Sequence, residues 1–180
     1  HRAGQVGPSP RPVRFGARVP RRAGYGRPAG APIGRACRVR GLPAAAESVP
    51  ADSGKTPDIE NAVRATVARF GGIDILVNNA GIQTYGDPVT TTEEIWDRTL
   101  NINLKGHWLM SKYAIPEMLK RGRGAIVNIS SVQGLKSQKN VVAYATSKHA
   151  MIGLTHSMAV DLASQQIRVN CVFPGTVDTP

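Results

Sequence analysis

Long apolar runs are missing from these 180 residues: none approaches the ~20 that a membrane-spanning helix needs, and the first positions carry no apolar core of a secretory signal. Neither a membrane protein nor an exported one is expected. Cysteine is scarce as well. Cys37 and Cys171 stand in unrelated contexts, with no spacing for a zinc site or a disulfide framework, so a reducing, cytoplasmic setting is the expectation. Acidic residues are nearly absent from the first fifty positions, where Glu47 stands alone against ten arginines. The net charge of +11 therefore belongs to one end. Residues 1–50 carry +9, whereas residues 51–180, with 13 basic and 11 acidic side chains, carry +2. A balance so placed does not mark the whole chain as nucleic-acid-binding.

The same break shows in composition. Arg, Pro, Gly and Ala supply 35 of the first 50 residues but only 34 of the following 130. The few apolar residues of the first stretch follow neither a period of 2 nor one of 3.6, and they cannot bury enough surface to offset the entropy of ordering. Residues 1–46 read as a disordered, basic, low-complexity arm. As an Arg-rich tail the arm would bind nucleic acid non-specifically through phosphates, which is the alternative function of a catalytically inactive chain. Only Phe15 and Tyr25 could stack on bases, so that reading is disfavoured. A transit peptide would be richer in serine than Ser9 and Ser48. The favoured explanation is that Arg, Pro, Gly and Ala are spelled by codons beginning with two G or C bases, as GC-rich DNA read out of frame would give.

From Glu47 onward helix and strand alternate. Ile59, Ala62, Val63, Val67 and Phe70 mark an amphipathic helix over Asp58–Phe70, stopped by Gly71-Gly72. Ile73–Val77 is a short, almost wholly apolar run, as expected for a strand covered on both faces. Thr91 with Glu94 forms a capping box that opens a long helix towards Arg121, with Gly106 and Pro116 as bends. Ala125–Ile129 is a second strand, Val141 to about Ser164 a third helix, and Ile167–Phe173 a third strand closed by Pro174-Gly175. Strands joined by crossover helices predict an α/β protein with a parallel sheet and right-handed connections.

Ligands of an open parallel sheet sit beyond the carboxyl ends of its strands. Each strand here ends in an unusual cluster: Asn78-Asn79-Ala80-Gly81, Ser130-Ser131, and Pro174-Gly175-Thr176-Val177-Asp178-Thr179. Small and polar residues at such tips let backbone approach a ligand and supply donors and acceptors. One such cluster is an ordinary turn; three in succession point to a site. On the third helix Tyr144 and Lys148 are one turn apart and share a face. An ammonium beside a phenol favours the phenolate, and such a pair can exchange a proton with a carbonyl or an alcohol.

Asn78-Asn79-Ala80-Gly81, Asn103-Leu104-Lys105-Gly106, Ile129-Ser130-Ser131, Tyr144-x-x-x-Lys148 and Pro174-Gly175 stand in this order, with Ser131 thirteen residues before Tyr144. The series resembles that of the short-chain dehydrogenase/reductase family over about residues 47–180. The resemblance implies a Rossmann-like doubly wound parallel sheet, incomplete here. It also implies an NAD(P)-dependent oxidoreductase that interconverts an alcohol and a carbonyl by hydride transfer. The cofactor would be NAD or NADP, the substrate a small-molecule alcohol or carbonyl, such as a sugar or a 3-oxoacyl group, and the assembly a homo-oligomer built through the two long helices. Tyr144 would be the acid/base, Lys148 would hold the nicotinamide ribose, Ser131 would hydrogen-bond the substrate oxygen, and Asn103 would hold a water in the proton relay. Asp52 resembles the carboxylate that meets the adenine amino group, and Asn78, Ala80 and Gly81 the element beside the adenosine ribose. Pro174, Gly175, Val177 and Thr179 resemble the loop that fixes the nicotinamide ring.

Other chemistries fit less well. Ser131 lacks the Gly-x-Ser-x-Gly elbow of a hydrolase. His107, His149 and His156 form no metal-ligand cluster. Ser53-Gly54-Lys55-Thr56 imitates the end of a P-loop, but Val49 replaces its first glycine. The family's opening Thr-Gly-x-x-x-Gly-x-Gly, which receives the pyrophosphate, has no counterpart; Gly24-Tyr25-Gly26 and Gly30-Ala31-Pro32-Ile33-Gly34 come nearest, and neither follows a strand. The sequence looks like the middle of an enzyme. Dinucleotide binding that is weak or absent, and an exposed apolar edge at Ile73–Val77, are expected.

Overall fold

A computed structural model describes residues 48–176. The expectations placed on the arm, residues 1–46, and on Val177 and Thr179 lie outside the described residues. Helix α1 (Thr56–Phe70) starts where Pro57 presets a helical φ and Asp58 sets a carboxylate on the positive end of the helix. It stops at Gly71, whose φ of 77° only glycine adopts freely, and whose N–H returns to Val67 O at 2.8 Å.

Strand β1 (Ile75–Asn78) begins two residues later than the apolar run predicted. Thr92, not Thr91, caps helix α2 (Glu93–Leu100): Thr92 Oγ1 accepts the Ile95 N–H at 3.3 Å. Thr91 Oγ1 instead donates to Asp87 O at 2.7 Å and closes the preceding turn, which corrects the predicted capping box by one position. The single helix predicted from there to Arg121 is in fact two. Asn101–Lys105 forms a π turn, with Gly106 N–H reaching Asn101 O, before helix α3 (Gly106–Lys120). The bend expected at Gly106 is this widened turn, and α3 continues through Pro116 on its exposed side. Strand β2 (Gly124–Ile129), helix α4 (Val142–Leu162) and strand β3 (Ile167–Val172) follow close to their predicted bounds.

The sheet is parallel, in the order β1-β2-β3. Both crossovers step in the same direction, so right-handed connections put their helices on the same face. Leu76, Ile126 and Val169 stand abreast in register on that face. They form one core with Ile59 and Val63 of α1, Leu109 and Met118 of α3, and Met158 and Leu162 of α4. The alternate residues Ile75, Val77, Val127 and Ile129 point the other way and are only half-buried. Burying a side chain of this size contributes about 1.5–3 kcal/mol, so the first face carries the stability of the described residues. No described helix is long and apolar enough to cross a membrane.

Candidate active site at the strand tips

Parallel strands bring their carboxyl ends together, and here the tips are joined by buried side chains. Asn78 and Asn128 are register partners on β1 and β2. Asn78 Nδ2 donates to Asn128 Oδ1 at 2.9 Å and to Ser111 Oγ of α3 at 3.1 Å, and Asn128 Nδ2 donates to Thr155 Oγ1 of α4 at 2.9 Å. A buried amide left without partners would cost about 1–3 kcal/mol. The chain of bonds avoids that cost and ties both helices to the sheet just beneath the tips. Asn78 is thus a clamp whose donors face inward, and what its motif presents beyond the strand is the Ala80–Gly81 backbone.

Helix α4 meets the β2 tip at Lys148. Lys148 Nζ donates to Ile129 O at 2.9 Å, and Ser130 Oγ donates to Lys148 O at 2.8 Å. This seam needs Gly134, because a Cβ there would lie 2.6 Å from Ser130 Oγ and 2.8 Å from Lys148 O. One turn earlier on α4, half-buried Tyr144 has its ring centroid 5.7 Å from Lys148 Nζ. Burial pulls the Lys148 pKa down to about 8, against the opposing effect of the Cys171 thiol, so the group is still an ammonium at pH 7.

Ser131 follows the seam directly. Its extended backbone (φ −165°) caps the short turn Val132–Gly134, and its Oγ accepts the Gln133 N–H at 3.1 Å. A hydroxyl used as an acceptor still has its hydrogen to donate. Pro174 O accepts the Val132 N–H at 3.0 Å, which brings the loop after β3, with Gly175, against the residue next to Ser131.

Of the remaining sequence-selected residues, Gly81 and Asn103 join this point. Asn103, fully buried in the π turn, accepts the Ile82 N–H through Oδ1 and donates through Nδ2 to Ile82 O, both at 2.8 Å, and to Ser147 Oγ at 3.0 Å. Its carboxamide is engaged at both ends, so it holds backbone rather than offering a free group. Gly81 fits between Asn103 and Lys148: a Cβ on it would lie 3.3 Å from Asn103 Oδ1 and 3.7 Å from Lys148 Nζ. Asp52 sits at the start of α1, where its Oδ1 accepts the Gly54 N–H at 2.9 Å; Gly54 O in turn accepts from Asn101 Nδ2 at 3.0 Å. Among the described residues no group of three His, Cys, Asp or Glu is placed to hold a metal ion.

Sequence reasoning gave no role to Ser111, Asn128, Ser147 and Thr155, and weighed His107 only as a metal ligand; all five are buried. A signal existed for two of them. Asn103, His107 and Ser111 are spaced by four along the helix, a polar row that an amphipathic surface would not place between apolar neighbours.

Comparison with known proteins identifies the family. The sequence profile of the short chain dehydrogenase family matches residues 35–180. An uncharacterized oxidoreductase of Thermotoga maritima is 50% identical over 122 residues, covering 68% of this chain and 49% of its own length. The ligand-free aldohexose dehydrogenase of Thermoplasma acidophilum superimposes with a TM-score of 0.72 at 41% identity, over 75% of this chain and 52% of that one. ElxO with NADP bound gives 0.70 at 36% identity, over 73% and 53%. The chain belongs to the short-chain dehydrogenase family, and its α/β fold with a parallel sheet is the Rossmann-like fold of these neighbours. It spans about half the length of the relatives it matches.

The donor set suits the ribose end of a nicotinamide dinucleotide. Lys148 has three N–H donors and spends one on Ile129 O, and the Tyr144 hydroxyl is carried on the same helix face one turn away.

Proposed function

We propose that this chain is an NAD(P)-dependent oxidoreductase interconverting an alcohol and a carbonyl, with Tyr144 as the acid/base. The observation that carries the reading is the placement of Lys148, bonded to the β2 tip beside Ser131 and 5.7 Å from the Tyr144 ring centroid. The bound dinucleotide, NAD or NADP, would supply or accept the hydride. Everything else is done by the chain. The Ser131 hydroxyl donates to the substrate oxygen and fixes its direction. In carbonyl reduction the Tyr144 O–H gives its proton to that oxygen, and in alcohol oxidation the phenolate takes it back. Lys148 holds ribose hydroxyls and places a positive charge beside the phenol, favouring the phenolate that oxidation needs. Asn103 acts through Ile82, and any part in a proton relay falls to its main chain.

Pro174 and Gly175, with Val177 and Thr179 beyond the described residues, are assigned to the nicotinamide ring, and Asp52, Asn78, Ala80 and Gly81 to the adenosine end. The bound NADP of the ElxO neighbour supports a nicotinamide cofactor. The aldohexose dehydrogenase neighbour puts sugars first among substrates to try. Assembly with a second copy is assigned to an open groove of about 840 Å³ between the π turn, α3 and α4, where Leu104, Trp108 and Leu154 are exposed or half-buried. Tyr144 does not line this groove, and the reading of the chemistry rests on the strand tips. A cytoplasmic location belongs to the same reading.

Deuteride transfer tests it. The 180-residue chain, given millimolar 4-deuterated NADH or NADPH and a panel of carbonyls that includes sugars, is expected to form labelled alcohol. The Ser131→Ala variant is expected to form about a hundredfold less. No labelled product from the wild-type chain would contradict the proposal.

A further inference from the structure

Asn103 and His107 lie four residues apart and hold the same stretch of backbone, Ala80–Ile82. Asn103 takes both polar groups of Ile82. His107 Nε2 lies 2.7 Å from Ala80 O. A carbonyl only accepts, so Nε2 carries the hydrogen, and in the neutral ring Nδ1 then presents a lone pair. Nδ1 is buried and has no hydrogen-bond partner among the described residues. The ring is 2% exposed, and burial pulls its pKa down to about 4 despite the Ala80 bond, with the charge of Lys148 adding to the fall. His107 is therefore a neutral, single-tautomer donor at neutral pH.

Gly81 stands between the two latched residues, where even an added Cβ would lie 3.3 Å from Asn103 Oδ1 and 3.7 Å from Lys148 Nζ. A small shift of the Ala80–Gly81 peptide would change what the Lys148 side chain meets. We propose that His107 is a positioning residue of the candidate site: with Asn103 it fixes the Ala80–Ile82 backbone and thereby sets the seat of Gly81 against Lys148. The proposal rests on reading Lys148 as a site residue. A hydrocarbon at position 107 would leave the Ala80 carbonyl without its donor, whereas the N–H of a glutamine reaches the same acceptor.

Two measurements on the 180-residue chain decide it. Long-range proton–nitrogen spectra of the imidazoles are expected to show His107, identified by its loss in His107→Gln, as the neutral Nε2–H tautomer from pH 5 to 8. A protonated ring or an Nδ1–H tautomer at pH 7 would overturn the proposal, and the spectra themselves are read on the wild-type chain. Residue-resolved amide exchange then reads the latch. In His107→Leu the Gly81 and Ile82 amides should exchange at least tenfold faster while α1 and α4 are unchanged, and His107→Gln should restore protection. Uniform acceleration across the chain, or none at residues 81–82, would overturn it. Titration with NADH or NADPH separates the two claims. Failure of the wild-type chain to bind at millimolar concentration counts against the oxidoreductase reading, while the exchange result still decides the latch.

Discussion

On β1 and β2 the two faces of the sheet draw on the same apolar residue types and end in different states. Leu76 and Ile126 on one face are fully buried, whereas Val77 and Val127, their neighbours on the same strands, are half-buried. Composition cannot be the cause, since Ile75, Leu76 and Val77 follow one another directly and are alike apolar. The cause is direction: two right-handed crossovers that step the same way stack their helices on one side. The apolar second face is the pattern of a strand with cover on both sides.

The contrast can be tested by truncation. Ile126→Ala removes a fully buried side chain from the middle strand and is expected to cost about 2–5 kcal/mol in denaturant unfolding. Acid probes the covered side through His107. An unfolded histidine titrates near 6.5 and folded His107 near 4, so across that window the unfolded chain binds the proton more readily. Stability is full above pH 6.5 and falls as the pH drops, by about 3 kcal/mol at pH 4, and His107→Gln should flatten that part of the profile. Val127→Ala, on the other face, is expected to cost about 1 kcal/mol or less. A loss matching that of Ile126→Ala would mean that the second face is covered in solution too. Smallest of all, Arg121→Ala breaks the 2.6 Å pair with Asp74, and since Arg121 is exposed the change should stay under about 1 kcal/mol.

The strands and the last helix were legible in the sequence because each is a run of one periodicity closed by Gly, Pro or a polar cluster. The π turn was not. Asn101–Lys105 keeps a helical pattern, and its widening depends on bonds to distant backbone, such as that from Asn101 to Gly54 O. The capping error had a local cause: Thr91 and Thr92 are equivalent by type, and only the turn at Asp87 decides which is free to cap. Tyr144, Lys148 and Ser131 stood out as candidates because their motifs carry chemistry that ordinary turns and helix faces do not need. Their supports were missed because Ser147, Thr155 and Ser111 are unremarkable singly and acquire partners only when three helices close over one face.

The central claim is that Tyr144 gives and takes the proton at the strand tips. Tyr144→Phe, assayed beside the wild-type chain for carbonyl reduction and for NADH or NADPH binding by fluorescence, addresses it most directly. Turnover should fall by about 10²–10⁴-fold while cofactor affinity is unchanged. Retained turnover in the variant would contradict the assignment.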